Sequence, residues 1–339
     1  MKKLSLILIV LVTWLFLAQN VFAALPESDS LERKNKGTPI LRVFANFTAP
    51  LGKSTGNTSF EVRRAYLGYD HKLDDKWSMK VVLDIGSPND DSPYSRLKRY
   101  AYFKTAALTY QTNHLQINAG IIDLLNVELQ EKLWGYRYIF KSFMDEYKFG
   151  PRADIGVNII LTPAKYLSVD AMIMNGEGYE QLQNDKTYKT SAGVTVKPFQ
   201  WMFVRVYSEL SQKMISESIV AGLIGIDWKK KYVLSVESNM RFNENFIHDH
   251  NRYGYSVYGR AGVMKKYSFF ARYDWVSSNR IENLNQPWNL TKDGSALIAG
   301  IEYCPISKVR FALNYQDWFP YAANVQNRRS VFLNLEFRL

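Results

Sequence analysis

The sequence is poor in the residues that most enzymes and most disulfide-built secreted domains depend on. It has one cysteine, Cys304, in 339 residues, so an internal disulfide framework is excluded. That cysteine lies beside a predicted turn and reads as a packing residue. There are four histidines, His71, His114, His248 and His250. The first two flank predicted turns, where a solvated side chain is the default. His248-Asp249-His250 sets two imidazoles two residues apart, a spacing that suits a metal on a strand. It follows the polar run Arg241-Phe242-Asn243-Glu244-Asn245, where solvated side chains are the simpler reading. No serine has a recognisable nucleophile setting, and nucleophilic catalysis needs one beside a base. The chain therefore reads as non-catalytic, with no cofactor and no metal.

Long apolar runs are also missing, with one exception. Lys2 and Lys3 precede an apolar stretch from Leu4 to Ala18, and Val21-Phe22-Ala23 follows with residues tolerated at a cleavage site. This is the pattern of a secretory signal over residues 1–23, and the run is short for a spanning helix. No other stretch approaches it, which excludes a helical membrane protein. Mean hydropathy is only −0.25 with 47% hydrophobic residues, as expected where apolar positions alternate with polar ones. Losing the signal lowers the net charge from +11 to +9. Such a balance suits anionic partners, but export argues against nucleic acid.

What the sequence does have is period-two alternation. In Val331-Phe332-Leu333-Asn334-Leu335-Glu336-Phe337-Arg338-Leu339, the odd positions are all apolar, while Asn334, Glu336 and Arg338 share the other face. Trp77 to Ile85, Tyr267 to Trp275 and Val309 to Gln316 repeat the pattern. Ile219 to Trp228 is apolar on both faces and cannot be oriented from sequence. Seven tight turns punctuate the chain, at residues 73–76, 111–113, 162–165, 197–200, 229–231, 264–266 and 305–307. With eight longer polar loops between them they imply sixteen strands, an even count with short turns on one side. Trp77, Tyr110, Tyr166, Trp201, Trp228, Tyr232, Tyr267 and Tyr303 all lie close to a tight turn, as an interfacial aromatic girdle would. The expected fold is all-β: a transmembrane antiparallel barrel over 39–339, after a polar leader at 24–38. Together with export, a barrel in lipid implies an outer membrane of the Gram-negative type.

Strand parity then sorts charges into the lumen. Arg42, Arg64, Arg152, Arg205, Arg260, Arg272, Arg310 and Arg338 fall inside with Lys80, Lys98, Lys104 and Lys189. So do Asp70, Asp84, Asp154, Asp170, Glu209, Glu237, Asp274, Glu302 and Glu336. Rings of Arg and Lys select anions in pores, whereas opposed charges on adjacent strands pair and stiffen the wall. Both readings stand at this point. Alternation fails across 123–151, where Leu125 to Leu133 reads as a short helix, and an excursion of that length in a compact barrel is usually functional. Folded inward it would constrict the pore with Lys132, Arg137, Lys141 and Lys148. The competing reading is an outward surface loop.

Three segments resemble the phosphate-selective porin O/P family of Bacteroidetes-type bacteria. They are Glu61-Val62-Arg63-Arg64-Ala65-Tyr66-Leu67-Gly68-Tyr69, then Met144-Asp145-Glu146-Tyr147 running into Arg152-Ala153-Asp154-Ile155-Gly156-Val157, and Met174-Asn175-Gly176-Glu177-Gly178-Tyr179. The resemblance implies a homotrimeric barrel whose third loop folds into the channel, and passive diffusion of small hydrophilic or anionic solutes. In that family phosphate preference is linked to a lysine cluster on the third loop. Here Lys132, Lys141 and Lys148 are scattered among Glu128, Glu131, Asp145 and Glu146, a departure from the pattern. An outer-membrane barrel enzyme of the lipase or protease type, or a plugged structural barrel, is the alternative.

Overall fold

The computed structural model describes Gly37–Leu339, apart from Lys53, Thr55, Gly56, residues 87–99 and Asn283. The expected signal and nearly all of the leader lie outside the described residues, as does Lys98. Sixteen strands run in sequence order round a closed antiparallel barrel. They are β1 (Gly37–Pro50), β2 (Ser59–Lys72), β3 (Trp77–Gly86), β4 (Tyr100–Gln111), β5 (Leu115–Asp123) and β6 (Ala153–Ala164). Next come β7 (Leu167–Met174), β8 (Lys189–Val196), β9 (Met202–Gln212), β10 (Ser216–Trp228) and β11 (Tyr232–Phe242). The circuit ends with β12 (Arg252–Met264), β13 (Tyr267–Ser278), β14 (Gly294–Ile306), β15 (Val309–Pro320) and β16 (Arg328–Arg338). The terminal alternating segment is the closing strand, with Val43 of β1 opposite Phe337 of β16. Closure leaves no sheet edge, the condition a sheet must meet in lipid.

The alternation becomes two faces of the wall. On β6, Ile155, Val157, Ile159 and Leu161 are exposed outward, while Asp154 and Asn158 are buried inside. All seven expected tight turns join the strands they separate. The first shows why polar residues occupy them: the Asp74 carboxylate accepts the backbone N–H groups of Lys76 and Trp77 at 2.7 Å each, an Asx turn. The girdle pairs across strands, with ring centroids 5.0 Å apart for Trp77–Tyr110, 5.3 Å for Trp201–Trp228 and 4.9 Å for Tyr267–Tyr303.

Two details depart from a regular reading. The connection from β9 to β10 is only Lys213, Met214 and Ile215, so one of the expected longer loops is as short as a turn. The polar residues flanking it pair as strand, Ser216 with Gln212 and Glu217 with Ser211. Polarity alone does not separate the wet end of a strand from a loop. The second departure is a bulge on β2, where the register against β1 shifts between Phe44 and Ala45 and leaves Arg63 without an opposite residue. A bulge re-aims the side chains around it.

Candidate pore constriction

The segment 124–152 turns into the barrel. Its first part is the helix α1 (Leu125–Trp134), ended by Gly135 in the left-handed conformation, φ 74°, with the Gly135 N–H on the Glu131 carbonyl. A one-turn helix, α2 (Phe143–Glu146), follows. Val127, Leu133, Trp134, Tyr136, Tyr138, Ile139, Phe143, Met144 and Phe149 are all buried. Trp134 meets Tyr258 and Phe270 edge-on, at centroid distances of 5.6 and 6.1 Å, and Tyr136 lies 4.4 Å from Phe270. On the wall, Gly254 makes room for Phe143: a Cβ there would lie 2.3 Å from the ring. This packing accounts for Ile219 to Trp228. Ile219, Ala221 and Leu223 face inward beneath the loop, while Val220 and Ile224 face outward. Each large side chain removed from water here contributes roughly 1.5–3 kcal/mol.

Most inward cations serve this packing. Arg272 is fully enclosed, bound to Asp274 at 2.8 Å and donating to the Lys141 carbonyl at 2.8 Å, with the Trp134 ring 5.2 Å away. Arg310 reaches Glu302, Glu336 and the Gly135 carbonyl. Arg205 forks onto Asp170 at 2.7 and 2.9 Å and donates to Asn126. Other charges pair along the wall: Arg42 with Glu336 at 2.9 Å, Arg64 with Asp84 at 3.3 Å, Lys104 with Asp123 at 3.4 Å and Lys189 with Glu209 at 3.2 Å.

At the loop's two ends the charges form a clip. Arg152 holds Asp123 at 2.5 Å and both Glu131 oxygens at 2.8 Å. Arg137 reaches Glu131 at 2.9 Å and Asp145 at 3.0 Å. Burial alone would raise the Glu131 carboxyl; Arg152 and Arg137 outweigh it and hold that group well below the usual carboxylate range. A cavity of ≈ 550 Å³ on the long-loop side is bordered by Arg64, Asp145, Arg152 and Lys189. A second, of ≈ 200 Å³ on the tight-turn side, is bordered by Glu128, Lys132, Asp170 and Arg205.

The structure thus divides the sequence-predicted cations. Lys80, Lys132 and Lys148 are exposed and, like Arg260, form no ion pair among the described residues. Lys141 sits 3.8 Å from Asp145, and Arg338 donates to the Ser307 carbonyl at the barrel end. Parity misses Arg63. The bulge puts it beside Arg64, within electrostatic reach of the loop residues Glu146 and Arg137, and it is exposed there. One sequence signal could have found it, because strict alternation would strand an arginine in lipid. Among the described residues no group of His, Cys, Asp or Glu is arranged to hold a metal ion.

No protein-family model matches the chain, and no curated protein sequence does. Solved structures do. OmpT expressed in the outer membrane of Vibrio cholerae is 12% identical with a TM-score of 0.63, covering 91% of this chain and 100% of that one. The outer-membrane channel DcaP of Acinetobacter baumannii is 11% identical with a TM-score of 0.65, covering 92% and 100%. Salmonella typhi OmpF, in a complex with daunomycin, is 10% identical with a TM-score of 0.68, again covering 92% and 100%. At these identities the likeness is one of fold alone, that of a sixteen-stranded closed antiparallel barrel.

Proposed function

We propose that the protein is an outer-membrane porin passing small hydrophilic solutes by passive diffusion, without catalysis or a cofactor. One observation carries this reading. The barrel presents an apolar outer face and a largely polar inner face, with loop 124–152 packed against β1 and β9 to β16 and water-sized space on both sides of the Arg152–Glu131 clip. Sixteen strands are too many for side chains alone to fill the interior. Export through a cleaved signal and residence in a Gram-negative outer membrane follow from the same reading. A homotrimer is the assembly proposed; a Vibrio cholerae OmpT structure is described as a trimer form.

Selectivity rests on the cations that pairing leaves free. Among the described residues Arg63, Lys80, Lys148 and Arg260 form no ion pair, which supports a weak anion preference. Phosphate preference rests on the family resemblance alone. The test is the reversal potential of the refolded protein in a planar bilayer across a KCl gradient. Stepwise conductance with a modest anion-favouring potential is expected. A cation-favouring potential would remove the anion preference but keep the channel. Absence of steps from folded protein would overturn the porin reading in favour of a plugged or enzymatic barrel.

A further inference from the structure

The inner wall breaks its polar rule beneath the loop on β10, and it does so again on the last four strands. Val276 on β13, Ile298 on β14, Trp318 on β15 and Phe332 on β16 occupy inward positions and border a cavity of ≈ 600 Å³ on the long-loop side. Loop 124–152 covers Val276 and Ile298, which are 1% exposed each, but leaves Trp318 and Phe332 partly open. An aqueous vestibule has no need of indole and phenyl surface, whereas a cavity of this size with an apolar floor suits a ring-containing solute.

The rings are held in place before any solute arrives. Trp318 lies over Gly294, where a Cβ would come within 2.7 Å of the indole Cζ2. The Tyr147 ring, tilted by 30°, stands 5.9 Å from it. Trp288, from the loop between β13 and β14, donates its Nε1–H to the Asn251 carbonyl at 3.0 Å and stacks on His250 at 4.4 Å. The charge at the cavity edge is positive. Lys148, Lys292 and Arg328 border it and form no ion pair among the described residues. Of the carboxylates there, Glu244 is taken by Arg252 and Arg241, Glu146 lies within reach of Arg63, and Asp317, bonded by the neutral Tyr315 hydroxyl, keeps its charge, one carboxylate against three cations.

We propose that this cavity binds a planar aromatic anion, an arene carboxylate, with its ring against Trp318 and Tyr147 and its carboxylate toward Lys292 and Arg328. The site lies apart from the Arg152–Glu131 clip and does not require that the barrel conduct. Fixed rings lower the ordering cost of binding, and unpaired cations favour an anion over a neutral sugar.

The experiment is fluorine NMR of 4-fluorobenzoate with the full refolded protein in detergent, its fold verified by heat-modifiable migration on a gel. Saturable broadening is expected. Trp318→Ala should weaken binding about tenfold, and Lys292→Gln with Arg328→Gln, both exposed, should weaken it about fivefold. Acetate should fail to displace the probe. Displacement by acetate at equal concentration would mean a plain anion site and overturn the proposal. Displacement by maltotriose would mean a carbohydrate site and do the same, as would absence of saturable binding or no change in either variant. Because conductance is not read, failure here is distinct from failure of the porin reading.

Discussion

The charged side chains of the lumen differ mainly in whether they have partners. Arg272 and Arg63 are both arginines inside one barrel, yet the first is neutralised by Asp274 and enclosed by aromatic rings, while the second is exposed, with Glu146 and Arg137 in electrostatic reach but no ion pair among the described residues. Arg63→Gln should therefore move the KCl reversal potential toward the cation side. A unit charge at about 4 Å in water is worth about 1 kcal/mol, enough for a several-fold change in permeability ratio. If the potential stays put, Arg63 does not line the path. Asp274 predicts the opposite kind of outcome. It receives Arg272, Ser256 and Tyr147 at once, so Asp274→Asn leaves a buried cation uncompensated. A loss of about 3–5 kcal/mol is expected, seen as a lower temperature of conversion to the heat-modified gel band, with selectivity unchanged. An unaltered conversion temperature would show that the Arg272 network does not hold the loop.

At the scale of elements, the Arg152–Glu131 clip ties α1 to the start of β6, and its acid response follows from the sign of the Glu131 shift. The ordinary value of that carboxyl is 4.5, and the fold depresses it. The clip's contribution is therefore complete above that value and is lost only as pH falls through the depressed one. Conductance should stay level from neutral pH down to about pH 4, whereas Glu131→Gln should give a larger or noisier current at every pH. A step in the wild-type current near the ordinary carboxylate value would sink this account of the clip. The sequence made much of the element level legible. Turn residues located all seven tight turns, and failing alternation located the loop and its helix. Parity gives the face of a residue but not its neighbour, so it placed Arg205 and Arg310 inside without revealing Asp170 or Glu302 as their partners. A bulge resets parity, and so Arg63 escaped. The doubly apolar β10 was unreadable because the loop that covers its inner face lies far away in sequence.

For the molecule as a whole, the outer face decides what surrounds it. Leu67, Phe103, Val157, Val206, Val236, Phe269 and Leu313 are each more than 40% exposed, on strands from β2 to β15. Soluble monomers rarely show contiguous apolar patches above a few hundred Å², and here the apolar belt has no polar interruption on β6 between Ile155 and Leu161. If lipid covers that belt, an arginine in its middle must be costly and one at its rim must not. Ile159→Arg, at mid-strand, should cost about 2–4 kcal/mol of folding free energy in bilayers, and Tyr166→Arg, beside the tight turn, about 0–1 kcal/mol. Urea titrations of folding into liposomes would measure both, with Ile159→Leu as the control for packing. Equal tolerance of arginine at both depths would mean that water covers the wall. A gradient with depth would place it in a membrane, because no aqueous interface distinguishes two outward residues by their distance from the rim.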